Sequence, residues 1–130
     1  MSDENTRPGP ITSVPMIGVP VSDTDVALRF YRDVLGFVVV NDTYLEQLDG
    51  RLVVLEVAAG ENTVIALFPH ATSEETGVGT GIRFRVEDAR AWYRYLQDAG
   101  ATVHELLEWP GVPPMFIFED PDQNALVIVS

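Results

Sequence analysis

The chain has 130 residues, of which 46% are hydrophobic and 9% aromatic, with no cysteine and a net charge of −12. That length supports one packed core rather than two. No apolar run reaches the ~18 residues of a membrane span, and the lack of cysteine excludes disulfides, thiol nucleophiles and thiolate metal sites. All eight basic residues are Arg, spread evenly with the acids over both halves. No basic patch exists to displace counterions, so neither nucleic acid nor a membrane is expected as a partner. The acidity itself reads either as a solubilising surface or as affinity for a cationic ligand.

The opening residues, MSDENTRPGPITS, are polar and acidic where a secretory leader is basic and then apolar, which predicts a cytoplasmic protein. Residues 1–12 have no periodicity and contain Pro8, Gly9 and Pro10; they are expected as a flexible tail before a single domain at 13–130. From Val14 to Val21, alternation puts Ile17, Val19 and Val21 on one face and Met16, Gly18 and Pro20 on the other. Pro20 has no N–H to donate and belongs at a strand end or a sheet edge.

Asp23 is placed as a helix N-cap, with Asp25 facing the dipole from the first turn. Val26/Ala27, Phe30/Tyr31 and Val34/Leu35 recur at helical spacing, and Gly36 stops the helix. A strand follows at Phe37–Asn41, and Asn41-Asp42 and Asp49-Gly50 read as turns. Leu52–Ala58 and Thr63–Phe68 read as strands joined by a Gly60-Glu61-Asn62 turn, and Pro69–Gly79 as a linker.

The same order then returns. Gly81–Val86 is a strand, and Asp88 caps a helix that buries Ala89, Trp92, Tyr93 and Leu96 and stops at Gly100. Strands at Thr102–Glu108, Met115–Glu119 and Ala125–Val129 follow, the last two joined by a bend at Asp120–Asn124. Asp23 and Asp88 stand half the chain apart, so one β-α-β-β-β unit is written twice, over about 13–69 and 80–130. The expected fold is α+β: two βαβββ repeats forming a curved eight-stranded mixed sheet, helices on its convex side and a concave cup for a ligand on the other.

V-x-D…A-x-x-F-Y…L-G-F at Val21–Phe37, F-x-V-x-D at Phe84–Asp88 and D-P-D-x-N at Asp120–Asn124 occur in order. In these the chain resembles the vicinal-oxygen-chelate superfamily over about 14–130. That superfamily includes glyoxalase I, extradiol dioxygenases, methylmalonyl-CoA epimerase, fosfomycin-resistance enzymes and bleomycin-resistance proteins. Gln123 departs from the glycine usual there. The family's metal enzymes hold a divalent ion in the cup with His, Glu or Gln. Carried over one position at a time, those ligand positions are Met16, Ala66, Gly81 and Val127 here. Three have no donor, and the Met16 thioether suits soft copper at best. The resemblance therefore implies a metal-free cup, and no cofactor is expected. It also implies a homodimer, some members completing each cup with strands from a second chain.

With the ligand positions fixing the strand phase, Met16, Ala66, Phe68 and Val127 face the cup, joined by Arg83 and, from the third strand, Glu56. A Glu56–Arg83 pair is expected in or near it. As structure it is a satisfied ion pair; as function, Arg83 anchors a carboxylate or enolate oxygen and Glu56 acts as a base or orients the Arg. His104, the one histidine in a predicted strand, is either a proton carrier or a partly exposed residue. Tyr44, Trp109, Met115 and Phe116 lie in segments that rim the cup in this family, with Trp109–Pro114 a stiff loop able to close over a flat ligand. Trp109 equally suits packing on that loop or a subunit contact.

Two functions follow. The first is a metal-independent small-molecule-binding protein like the bleomycin-resistance branch, sequestering an aromatic or cationic compound. The alternative is a metal-free isomerase, lyase or cyclase drawing its acid–base chemistry from Glu56, Arg83 and His104.

Overall fold

Pro20 closes β1 (Met16–Pro20), which is the outer strand of its sheet, so its missing N–H leaves no ladder bond unmade. The computed structural model describes residues 6–60 and 62–130. Residues 6–12 carry no helix or strand. The rest of the expected tail, residues 1–5, and Glu61 of the expected Gly60-Glu61-Asn62 turn lie outside the described residues.

Asp23 caps α1 (Thr24–Arg29), its carboxylate accepting from the N–H groups of Asp25 at 3.0 Å and Val26 at 3.2 Å. The helix is regular over Thr24–Arg29 and widens to a π turn over Phe30–Val34. There the Leu35 N–H reaches back to Phe30 O at 3.0 Å. Nothing in the residue spacing predicts this widening. Along it Phe30 and the adjacent Tyr31 are both buried. Gly36, at φ +83°, ends the helix in the left-handed geometry that glycine adopts freely.

β2 (Val38–Leu45), β3 (Gly50–Glu56) and β4 (Val64–Phe68) complete the first sheet in the order β1-β4-β3-β2, with β1 parallel to β4. Asn41-Asp42 is not the expected turn. It stays inside β2 just after a bulge, where Val40 is the extra residue between the pairs Val39↔Leu55 and Asn41↔Val54. The chain turns later, through the 3-10 turn Glu46–Leu48 and left-handed Asp49.

The second unit holds β5 (Gly79–Arg85), α2 (Ala89–Asp98), β6 (Thr102–Val103), β7 (Leu107–Trp109), β8 (Val112–Glu119) and β9 (Ala125–Val129). Asp88 caps α2 by accepting from the Ala91 N–H at 3.1 Å. The sheet order is β5-β9-β8-β6, with β7 also on β8. The single strand expected over Thr102–Glu108 is thus two short ones, β6 and β7. The stiff loop expected at Trp109–Pro114 is a hairpin that turns at Gly111 and runs straight into β8. Pro113 and Pro114 have no N–H, and there the β7–β8 register slips, between Leu107↔Met115 and Trp109↔Val112.

The largest departure is global. The nine strands form two sheets, of four and five strands, and among the described residues no strand pairing joins them. The continuous eight-stranded sheet expected from the repeats is not formed within the chain. Instead the two units share one core, which takes Val19, Val53, Leu55, Ile65 and Leu67 from the first sheet and Phe116, Phe118, Leu126 and Ile128 from the second. Phe30 of α1 meets Phe118 with ring centroids 6.3 Å apart, and Phe37 meets Phe84 at 5.3 Å. Tyr95 of α2 donates to Val34 O of α1 at 2.7 Å. The apolar faces of both units are buried together, and the opposite face of each sheet points away from the core. No helix of the described residues is long and apolar enough to cross a membrane.

Candidate functional site

Paired residues on neighbouring strands share a face, so the registers read out both outer faces row by row. On the first sheet one row is Met16, Val64, Glu56 and Val38, and the next is Gly18, Ala66, Val54 and Asn41. Phe68 stands beyond them, opposite Pro20. Its ring lies over Gly18, where an added methyl would come within 2.9 Å of it. Met16, Glu56, Ala66 and Phe68 are therefore together, on a largely apolar face that also carries Asn41 and the half-buried Glu56.

On the second sheet one row is Arg83, Val127 and Ile117, with His104 beside Ile117 through its N–H bond to Ile117 O at 2.8 Å. The next row is Arg85, Val129, Met115 and Leu107, and Trp109 follows Leu107 on the same side. Arg83, Trp109, Met115 and Val127 are therefore also together, in a second group on a separate sheet.

Three placements differ from expectation. Glu56 and Arg83 belong to different sheets and form no ion pair with each other; the ion pairs among the described residues involve other groups. Tyr44 pairs with Arg51, which reaches Asp25 of α1 at 2.6 Å, so Tyr44 lies on the helix side of its sheet rather than at a cup rim. Its hydroxyl donates to Asp49 at 2.8 Å. Phe116 is fully buried in the core and touches neither outer face.

His104 has a partner that its sequence neighbours do not reveal. Its Nε2 lies 2.7 Å from Oε2 of Glu119, because β6 pairs with β8 and brings the two to one face. Such a pair can hold one imidazole tautomer and orient the ring. The register of β6 on β8 was the signal that could have found it.

At the first end of the molecule, the Asp120–Asn124 bend is tied into the other unit. Asp120 and Asn124 are buried. Asn124 Nδ2 donates to Pro20 O at 2.8 Å, the Tyr31 hydroxyl donates to Asp120 at 2.8 Å, and the Ser22 hydroxyl donates to Asp122 at 2.5 Å. Burial and then the Asp120 charge push the Tyr31 phenol well above its ordinary pKa. Every member of this cluster has a bonding partner, and its role is to join the halves.

The four positions carried over from the family's metal enzymes hold no oxygen or nitrogen side-chain donor. Ala66 is fully buried, Gly81 lies in a bulge of β5 at φ +74°, and Met16 and Val127 offer a thioether and an isopropyl group. No group of three or more His, Asp and Glu able to hold an ion occurs among the described residues. The side chains at these positions do not fit a hard or borderline cation.

A half-open hollow of about 650 Å³ is on neither outer face. It lies between the layers, against Ile17, Phe37, Ile65, Phe84, Trp92 and Ile128. Of the residues expected to bind a ligand, Arg83 alone borders it.

The sequence matches the Glyoxalase/Bleomycin resistance protein/Dioxygenase superfamily over residues 13–128. Among solved structures it is similar to TnmS3, an antibiotic binding protein from Streptomyces sp. CB03234, at 28% identity and a TM-score of 0.78, covering 92% of this chain and 95% of that one. It is also similar to a member of the same superfamily from Sphaerobacter thermophilus DSM 20745, at 30% identity and a TM-score of 0.78, covering 92% and 97%. UcmS2 shares the fold at 23% identity and a TM-score of 0.80, covering 92% and 98%. No curated protein matches the chain.

Proposed function

This chain belongs to the Glyoxalase/Bleomycin resistance protein/Dioxygenase superfamily, and within it we propose a small-molecule-binding protein that needs no metal ion and sequesters an aromatic or cationic compound. The observation that carries this reading is the large apolar side chains exposed on both outer faces, with no chelating set among the described residues. Large apolar side chains stay exposed on both: Met16 is 43% exposed, Phe68 38%, Ile117 39% and Trp109 54%. Large apolar side chains exposed together on one face mark where soluble proteins bind partners or ligands. A homodimer that set the second sheet of one copy beside the first sheet of the other would turn two open faces into one cup. In that cup Met16, Phe68, Trp109, Met115 and Val127 stack on a planar body, Ala66 leaves room for it, and Glu56 pairs with a cationic group. Arg83 takes an acceptor oxygen at the opposite side. Similarity to an antibiotic binding protein supports the same reading.

The test is calorimetric titration with the planar cation 9-aminoacridine in the presence of a chelator, beside sedimentation to count copies. Saturable binding to a dimer, weakened about tenfold by Glu56→Gln, is expected; a desolvated ion pair accounts for that much. Binding that requires a divalent ion, or that Glu56→Gln leaves unaltered, overturns it. A second reading, metal-free acid–base catalysis, has the His104–Glu119 contact behind it. Turnover of any bound compound, lost in His104→Gln with affinity retained, would favour catalysis over sequestration.

A further inference from the structure

A half-open hollow of about 650 Å³ lies between the two units. Its walls are apolar: Ile17 and Ile65 from the first sheet, Phe84 and Ile128 from the second, and Phe37 and Trp92 behind them. Its size falls in the range of roughly 300–1,000 Å³ that small-molecule pockets occupy.

The main chain supplies polar groups at this hollow. β1 and β5 are the outer strands of their sheets. The Val86 N–H donates to Val129 O at 2.9 Å, so in the β5–β9 parallel pair it is Phe84 and Val86 that bond to β9. Alternate residues of a strand turn their amides the opposite way, which directs the N–H and C=O of Arg83 and Arg85 off the sheet edge. Both residues border the hollow.

The hollow is also held open. Tyr31–Asp120, Asn124–Pro20 O, Tyr95–Val34 O and the Phe37–Phe84 ring contact join the two units and fix their spacing. A groove bounded by such ties keeps its width in the folded chain.

We propose that this inter-layer cavity is a second binding site for an uncharged, planar aromatic molecule carrying a hydrogen-bond donor or acceptor along one edge. The rings lie between Ile17, Ile65, Phe84 and Trp92, and the polar edge meets the free main chain of Arg83 and Arg85. The site shares only Arg83 with the outer-face cup, through its main chain rather than its guanidinium; it differs from the cup in ligand charge and is complete in one copy of the chain.

The two tryptophans report the two places separately, since Trp92 borders the cavity and Trp109 stands on an outer face. The probe is acridone, which is planar and neutral, has an N–H and a C=O, and accepts energy from tryptophan. In Trp109→Phe protein, acridone should quench Trp92 saturably and emit in its place. Ile17→Phe and Val86→Phe fill the cavity from opposite walls, and either one that keeps its circular dichroism should weaken binding by about tenfold or more. Val127→Glu, which spoils the outer face, should leave the Trp92 titration unchanged, so the cup and the cavity can fail independently. Unquenched Trp92 emission overturns the proposal. So does a titration indifferent to both filling variants, or a response carried entirely by Trp109 in Trp92→Phe protein.

Discussion

Replacing Tyr31 by Phe removes one atom from the junction between the halves and leaves the ring in place. Tyr31 is fully buried, and its hydroxyl donates to Oδ2 of the buried Asp120 at 2.8 Å. A hydrogen bond to a charged acceptor contributes about 1.5–3 kcal/mol. Asp120 would keep its other donors, Asn124 Nδ2 at 3.0 Å and the N–H groups of Asp122 and Asn124 at 2.9 Å. The loss should therefore fall at the low end, about 1.5–2 kcal/mol, lowering the melting midpoint by roughly 6–8 °C for a domain of this size. The pH dependence carries a second signature. Burial, and next the Asp120 charge, hold the folded phenol above its ordinary pKa, whereas in the unfolded chain it ionises near pH 10. The contribution is therefore complete below about pH 10 and is lost as pH rises through the folded value, at up to about 1.4 kcal/mol per pH unit. Urea unfolding between neutral pH and pH 11 should show a shallower alkaline decline for Tyr31→Phe than for the natural protein. Tyr44, raised by its bond to Asp49, is present in both proteins and cancels. A loss below about 0.5 kcal/mol, or equal alkaline slopes, refutes the reasoning.

Gln123 sits at φ +64°, and Gln123→Gly should relieve about 1 kcal/mol of left-handed strain and raise the midpoint by roughly 4 °C; an unchanged or lower midpoint counts against it. Gly81→Ala meets no atom within 4 Å but inherits φ +74°, so it should cost about 1–2 kcal/mol through the backbone alone, measured by urea unfolding. Asn124→Ala strips Pro20 O of a donor at 2.8 Å and the Val78 N–H of an acceptor at 3.2 Å. It should destabilise the fold by about 3 kcal/mol or more, and a smaller loss would mean that the bend holds without this tie. Zinc, nickel or a chelator should leave the melting temperature where it is, and a saturable rise with any divalent ion would show that the outer faces hold one after all.

The elements were legible because their causes are local. Asp23 and Asp88 cap helices with their own side chains, Gly36 and Gly100 take the left-handed conformation that ends them, and Pro20 marks a sheet edge. The phase of β1, β3 and β4 followed from alternation, which is why Met16, Glu56, Ala66 and Phe68 do share a face. Alternation misleads where a strand gains a residue. The bulge at Val40 reverses which side the rest of β2 faces, and it leaves Tyr44 beside Arg51 on the helix side. The slip in β5 likewise puts Gly81 in a kink that no run of side chains signals.

From its sequence, then, this chain is two copies of one α+β unit, and its family resemblance implies chelating positions that hold a thioether, a methyl, a hydrogen and an isopropyl group. How the copies meet is decided by contacts between residues far apart in the chain: Phe30 with Phe118, Tyr31 with Asp120, Asn124 with Pro20. Periodicity records that a face is apolar but not which other apolar face will cover it. Only the folded chain puts the helices' greasy sides against a shared core, parts Glu56 from Arg83, and leaves a hollow between the layers.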